Sequence, residues 1–315
     1  MNDISQKLQR SFYNDNNNKR MAVCLYGQYR IGDYLLSWIK HVYDLSKFDI
    51  HVDFFVSIKE FNSYNPYTRH DIKSVDDLYE FNSEEARLGI YNILPNVRKF
   101  NIIPRDIDYN AMHSNTPVSS GIFDSLMLKQ EYELENDIEY DFVFMQRFDC
   151  QFMPFDLPNL IVEFLNGLTL HDYMKITTST NFNFIMANLI PPTTLDPPFR
   201  QIQDLFMFGT NSAWDNVAAE IPNIFSSNTP EFKYKDIYHR PIVYRRNAHT
   251  TLYEAMISAH VEILPIGTIY THNNIHEYET IKYNVIRDTF DLTLDPFDSD
   301  TFYHFRDLWV RRAIK

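Results

Sequence analysis

Residues Met21 to Tyr26, MAVCLY, form a continuous apolar run that ends on Gly27. A strand with one wet face alternates apolar and polar residues. One that is apolar at every position must be covered on both faces, the condition of an interior strand in a parallel sheet. The run passes through Gly27-Gln28-Tyr29-Arg30 into a segment with Leu35, Ile39, Val42 and Tyr43 at helical spacing, which Asp33 is placed to cap. A second strand, His51 to Ser57 (HVDFFVS), follows. Strand, loop, helix and strand in this order predict a doubly wound α/β sheet whose ligand lies outside the carboxyl ends of the strands.

A third buried strand, Phe142 to Met145, lies within Tyr140 to Phe152 (YDFVFMQRFDCQF) and runs directly into Arg147 and Asp149. Two opposite charges at the end of a buried strand either neutralise each other at a sheet edge or face a site. Gly27 lets backbone approach a ligand closely. Arg30 offers a forked, permanent cation suited to a diphosphate, although a turn glycine and a surface arginine would look the same.

With the helix before it, the Tyr140 to Phe152 stretch resembles the acidic motif of GT-A glycosyltransferases, in the variant where R-x-D stands in place of D-x-D. The apolar first strand followed by G-Q-x-R is similar to the start of the same group. The resemblance spans about Met21 to Phe152 and, less closely, Gln201 to His276. It implies a GT-A (Rossmann-like) fold, with a mixed, mainly parallel sheet flanked by helices in a single domain with an acceptor lobe. Residues 1–20 are then a loose arm, 21–153 the nucleotide-sugar-binding half and 154–315 the acceptor half. The implied activity is transfer of a sugar from a nucleoside diphosphate donor, UDP- or GDP-linked, to a glycan or other hydroxyl acceptor. Gly27, Gln28, Arg30, Arg147 and Asp149 would hold the donor. Asp149, helped by His272, would hold Mn²⁺ or Mg²⁺. Asp204 would take the proton from the acceptor hydroxyl, as an inverting transfer requires. The motif is incomplete as a D-x-D, since Arg147 and Gln151 flank Asp149 at a spacing of two. That leaves open a site in which Arg147 partly replaces the cation, and a non-catalytic carbohydrate- or partner-binding protein that keeps a degenerate form of the fold.

Composition removes several other classes. A formal charge of −13, with no clustered Lys and Arg, argues against a nucleic-acid binder. Neither GxGxxG nor a P-loop motif occurs among the seven glycines. The two cysteines, Cys24 and Cys150, sit in apolar contexts and predict buried thiols in a reducing compartment. No apolar run of about 18 residues occurs, and the N-terminus lacks a signal-peptide pattern, so the expectation is a soluble cytoplasmic protein. Asn-, Tyr- and Ile-rich, Gly-poor usage points to an AT-rich genome, a virus among the sources.

Elsewhere the pattern is coarser. Asn82 to Glu85 predicts the start of a helix that Pro95 closes. Ser119 or Ser120 caps a longer one, with Phe123, Met127, Gln130 and Leu134 as its apolar stripe; the resemblance implies that its first turn lies near the nucleotide, with Ser125 and Lys129 either close to it or in solvated or structural roles. Asn181 to Arg200 reads as a long proline-bearing loop, and Leu205 to Gly209 as a strand that Asp204 precedes. Thr251 and Glu254 form a capping box, and Glu262 to Tyr270 is strand-like. Phe302, Phe305, Leu308 and Trp309 form a terminal stripe, suited to packing on the main domain, to a membrane or to a second copy of the chain as a homodimer.

Overall fold

The computed structural model describes residues 19–29, 32–63, 78–80, 83–103, 116–153, 156, 158–159, 183–190, 201–226, 231–235, 241–245, 248–268, 282–285, 295 and 297–300. In chain order the strands are β1 (Lys19–Gly27), β2 (Ile50–Lys59), β3 (Phe61–Ser63), β4 (Leu78–Glu80), β5 (Val97–Ile103), β6 (Phe142–Arg147), β7 (Cys150–Met153), β8 (Phe184–Ile190), β9 (Gln201–Thr210), β10 (Glu231–Lys235), β11 (Pro241–Arg245), β12 (Glu262–Thr268) and β13 (Lys282–Val285). The helices are α1 (Gly32–Val42), α2 (Ser83–Ile93), α3 (Thr116–Asn136), α4 (Asn211–Ser226) and α5 (Ala248–Ser258).

Seven strands make one mixed, mainly parallel sheet in the order β12-β8-β9-β6-β1-β2-β5. β1 pairs in parallel with β2 on one edge and β6 on the other, β2 with β5, and β8 with β12. Only β9 runs against its neighbours, β6 and β8. The apolar run of β1 has the consequence expected of it. Met21, Val23 and Leu25 pack under α1 and α2 with Leu35, Trp38, Ile39 and Ile90. Ala22, Cys24 and Tyr26 point the other way, under α3, α4 and α5, with Ile122, Leu126, Trp214, Val217 and Met256. The fold is therefore three layers, helices on both faces of one sheet. Strands from both halves of the chain complete it. β12 carries Pro265 at the edge of the sheet, where a missing ladder donor is tolerated.

Several boundaries differ from those the sequence predicts. α3 begins at Thr116, before Ser119 and Ser120, because Pro117 fits a first turn whose N–H groups have no helical acceptor. Its inner face is also not the apolar stripe. Ile122, Ser125, Leu126 and Lys129 are buried, while Leu134 is 86% exposed. A helix pattern scored by polarity puts Lys129 outside, yet Lys129 is 0% exposed because its charge is met inside. Its Nζ donates to Glu133 Oε2 at 2.8 Å, to Asp215 Oδ1 at 2.7 Å and to Asn211 Oδ1. Glu133 Oε1 accepts in turn from Asn211 Nδ2 and from the Tyr140 backbone N–H, both at 3.0 Å. This cluster ties α3, the start of α4 and the entry to β6 together, so Lys129 is a fastening and Ser125, which donates to the Ile122 carbonyl, is a packing residue. β1 already includes Lys19 and Arg20 of the expected arm. β8 lies within the stretch read as a loop. α5 starts at Ala248, which puts Thr251 in its first turn and removes the capping box. Residues 302–312 and the prolines of 191–198 lie outside the described residues.

Lys129→Met should cost about 1–3 kcal/mol of stability, since it removes the hydrogen bonds of a buried cation but leaves carboxylates that are 11% and 33% exposed, and urea unfolding measures it. Gly209→Ala should also destabilise the sheet, because a β-carbon there would lie 2.5 Å from the Phe184 carbonyl oxygen and 2.8 Å from Ile185 Cγ1.

Candidate functional site

The strand order reverses at β1: the chain adds β2 and β5 on one side and then returns to lay β6 on the other. Such a reversal opens a crevice outside the carboxyl ends of the two central strands, here the ends of β1 and β6. β1 ends on Gly27, whose φ of 110° suits glycine and strains any other residue, with open space where a β-carbon would stand. Gln28 follows, half-buried, and Tyr29 packs edge-on to Phe148 with ring centroids 5.5 Å apart. Gly121, near the start of α3, lies against Tyr26 and the Gly27 backbone N, so the opening of that helix borders the same crevice.

β6 ends on Arg147, in register with Tyr26 of β1. The chain then turns sharply. Phe148 N–H donates to the Tyr26 carbonyl at 3.1 Å, Gln146 Nε2 donates to the Cys150 carbonyl at 2.9 Å, and Tyr43 Oη donates to Gln146 Oε1. The turn delivers Asp149 beside Arg147, and β7 leaves to pair with β13. Arg147 grips Asp149 side-on, with Nε donating to Oδ1 at 2.9 Å and Nη2 to Oδ2 at 2.7 Å. Its third nitrogen, Nη1, reaches Asp204 Oδ2 at 3.3 Å.

Asp204 arrives by a device the sequence does not display. Along the β8 and β9 ladder Ala187 faces Met207, but Leu189 faces Ile202. Two steps on β8 thus span five on β9, and three residues of β9 are extra. On its other edge β9 stays in register with β6 from Thr210 to Phe206. The extra residues are therefore Gln203, Asp204 and Leu205, a bulge of the kind that re-aims a side chain at the rim of a sheet. Asp204 sits inside β9, not in a turn before it. Tyr26 Oη donates to its carbonyl at 2.6 Å and so holds the bulge onto β1.

Burial governs the charges here. It works against the Arg147 proton, yet Asp149 and Asp204 outweigh it and hold the guanidinium above its ordinary range. Burial first, and Asp204 second, push the Tyr26 phenol well up, so it remains a donor. Burial also raises the Cys150 thiol well above its usual value, with Asp149 adding to it, and pushes Cys24 up to about 12. Both cysteines are buried and unpaired with each other.

Of the residues read from sequence, Gly27, Gln28, Arg147, Asp149 and Asp204 lie together around the carboxyl ends of β1 and β6, while Arg30 and His272 lie outside the described residues. Tyr26 was missed; the one signal for it is a tyrosine closing an otherwise aliphatic run. Both carboxylate oxygens of Asp149 accept from Arg147, so a divalent cation bound there would lie beside the guanidinium charge. Among the described residues no group of three or more His, Cys, Asp or Glu stands together to hold a metal. No described helix is long and apolar enough to cross a membrane.

No protein-family model matches the chain, and no curated protein matches it. Among solved structures, the inositol-1-phosphate CTP transferase from T. maritima is similar at a TM-score of 0.38 and 10% identity, over 93% of this chain and 97% of that one. A likeness of that degree assigns neither family nor activity.

Tyr26→Phe should lower stability by about 0.5–1.5 kcal/mol, because it removes the buried hydrogen bond from Tyr26 Oη to the Asp204 carbonyl. Chemical denaturation of the variant measures it.

Proposed function

We propose that the chain is a nucleotide-sugar-dependent glycosyltransferase with its donor diphosphate in the crevice at the ends of β1 and β6. The observation that carries this reading is the convergence of Gly27, Arg147, Asp149 and Asp204 where the strand order reverses, from three strands far apart in sequence. Gly27 exposes backbone to the phosphates, and Arg147 meets their charge as it grows on the leaving group. In the transfer the bond between the anomeric carbon and the diphosphate oxygen breaks, and the acceptor hydroxyl oxygen bonds to that carbon. Its proton passes to Asp204, held at the rim by its bulge and by Tyr26.

A non-catalytic binding protein is the second reading, favoured by the occupation of both Asp149 oxygens by Arg147. Thermal unfolding with UDP, GDP, CMP and dTDP, each with EDTA and with Mn²⁺, separates the two. A ligand that binds only the folded state at about 100 times its Kd stabilises it by about 2.7 kcal/mol. The expected result is stabilisation by at least one nucleoside diphosphate; a response to none would leave the binding reading.

Asp204→Asn should reduce release of nucleoside diphosphate from the cognate donor by about 10²-fold or more while keeping the nucleotide-induced stabilisation. Retained turnover would take the base role away from Asp204.

A further inference from the structure

The guanidinium of Arg147 has the place, the exposure and the fixed geometry to serve as the site's cation. We propose that Arg147 itself is the cation that the donor diphosphate meets, with Asp149 as its positioning residue, so that nucleotide binding needs no divalent ion. This rests on the reading of the crevice as a diphosphate site.

Within the cluster the side chain of Arg147 is 13% exposed, whereas those of Asp149 and Asp204 are 3% exposed. The Arg147 side chain is thus the most accessible of the three. Arg147 spends three of its five N–H groups on the two aspartates, one from each nitrogen, which leaves one N–H on each terminal nitrogen. Paired terminal N–H groups are the donors with which arginine recognises phosphate. The two carboxylates also fix the plane of the fork before any ligand arrives, so little rotamer freedom remains to be lost on binding. A metal ion on Asp149 would stand beside the guanidinium from which both its oxygens accept, so the two cations would repel each other.

The neighbouring strand supports the same assignment. Arg147 lies in register with Tyr26, one residue before Gly27, so the fork and the open backbone of Gly27 stand side by side at the ends of adjacent parallel strands. Asp149 then acts through Arg147 rather than on the ligand.

Isothermal calorimetry with UDP, GDP, CMP and dTDP, on the full chain in EDTA and again in Mn²⁺, tests this. The expected result is that at least one of the diphosphates UDP, GDP and dTDP binds with the same affinity in both media, within about threefold, and more tightly than the monophosphate CMP. Arg147→Lys, which keeps the charge and loses the fork, should weaken that binding about tenfold or more, measured at a temperature where circular dichroism shows the variant folded. Binding seen only with Mn²⁺ overturns the inference and leaves the glycosyltransferase reading standing. Absence of binding in both media overturns the two together. Metal-independent binding that Arg147→Lys does not weaken moves the diphosphate off Arg147 and likewise overturns the inference. Should Arg147→Lys fail to fold, the comparison of EDTA with Mn²⁺ on the unmodified chain still decides whether an ion is needed.

Discussion

The structure depends on β1 being paired in parallel along both edges and covered on both faces. Such a strand offers no place for a charged side chain along its length, and its backbone groups are taken up by its neighbours. Polarity is consequently driven to the strand ends. The amino ends collect one buried network: Asp53 accepts from Arg98 Nε at 2.6 Å and from Tyr140 Oη at 2.7 Å, with His51 Nε2 3.0 Å away. The carboxyl ends collect the other, around Arg147.

Position in the topology separates these two, although both centre on a buried aspartate. Asp53 lies at the amino ends of β1, β2 and β6, where its partners satisfy a carboxylate that is 1% exposed and hold the entry to β6 against β2 and β5. Asp141 N–H donates to the Arg20 carbonyl at the same end, so this network registers strands. The Lys129 cluster likewise joins helices to each other and to β6. Arg147 differs in lying at the carboxyl ends of the strands where the strand order reverses. A buried ion pair by itself is weak support for a function, and the place of the pair in the sheet supplies the argument.

How much was legible in the sequence follows from which constraint leaves a compositional trace. Burial on both faces makes every residue of Met21 to Tyr26 apolar, and the parallel sheet could be read from that run. The end of β6 was legible because Arg147 and Asp149 interrupt an apolar segment abruptly. The inner face of α3 was not, since Lys129 is buried by partners up to 86 residues away, and no local pattern records them. Thr251 matched the letters of a capping box while the helix had already begun at Ala248. Tyr26 counted as one more apolar residue, although its hydroxyl does the work of holding β9.

The bulge of β9 joins these points. Nothing in Gln201 to Leu205 contains the glycine or proline that usually marks an irregular strand. The three extra residues exist only as a mismatch between the register β9 keeps with β6 and the one it keeps with β8. An irregular stretch in the interior of a sheet leaves ladder groups without strand partners, and Tyr26 Oη takes up one of them, the Asp204 carbonyl. A regular β9 would not need that bond, and without the excursion the alternation of the strand would not be broken before Leu205. The bulge thus makes Asp204, Tyr26 and Arg147 a single unit, in which the backbone of one aspartate is fixed from β1 and its carboxylate from β6. Asp149 completes the unit from the turn that follows, so four side chains of three strands and one turn are joined at the carboxyl ends of the central strands, where the strand order reverses.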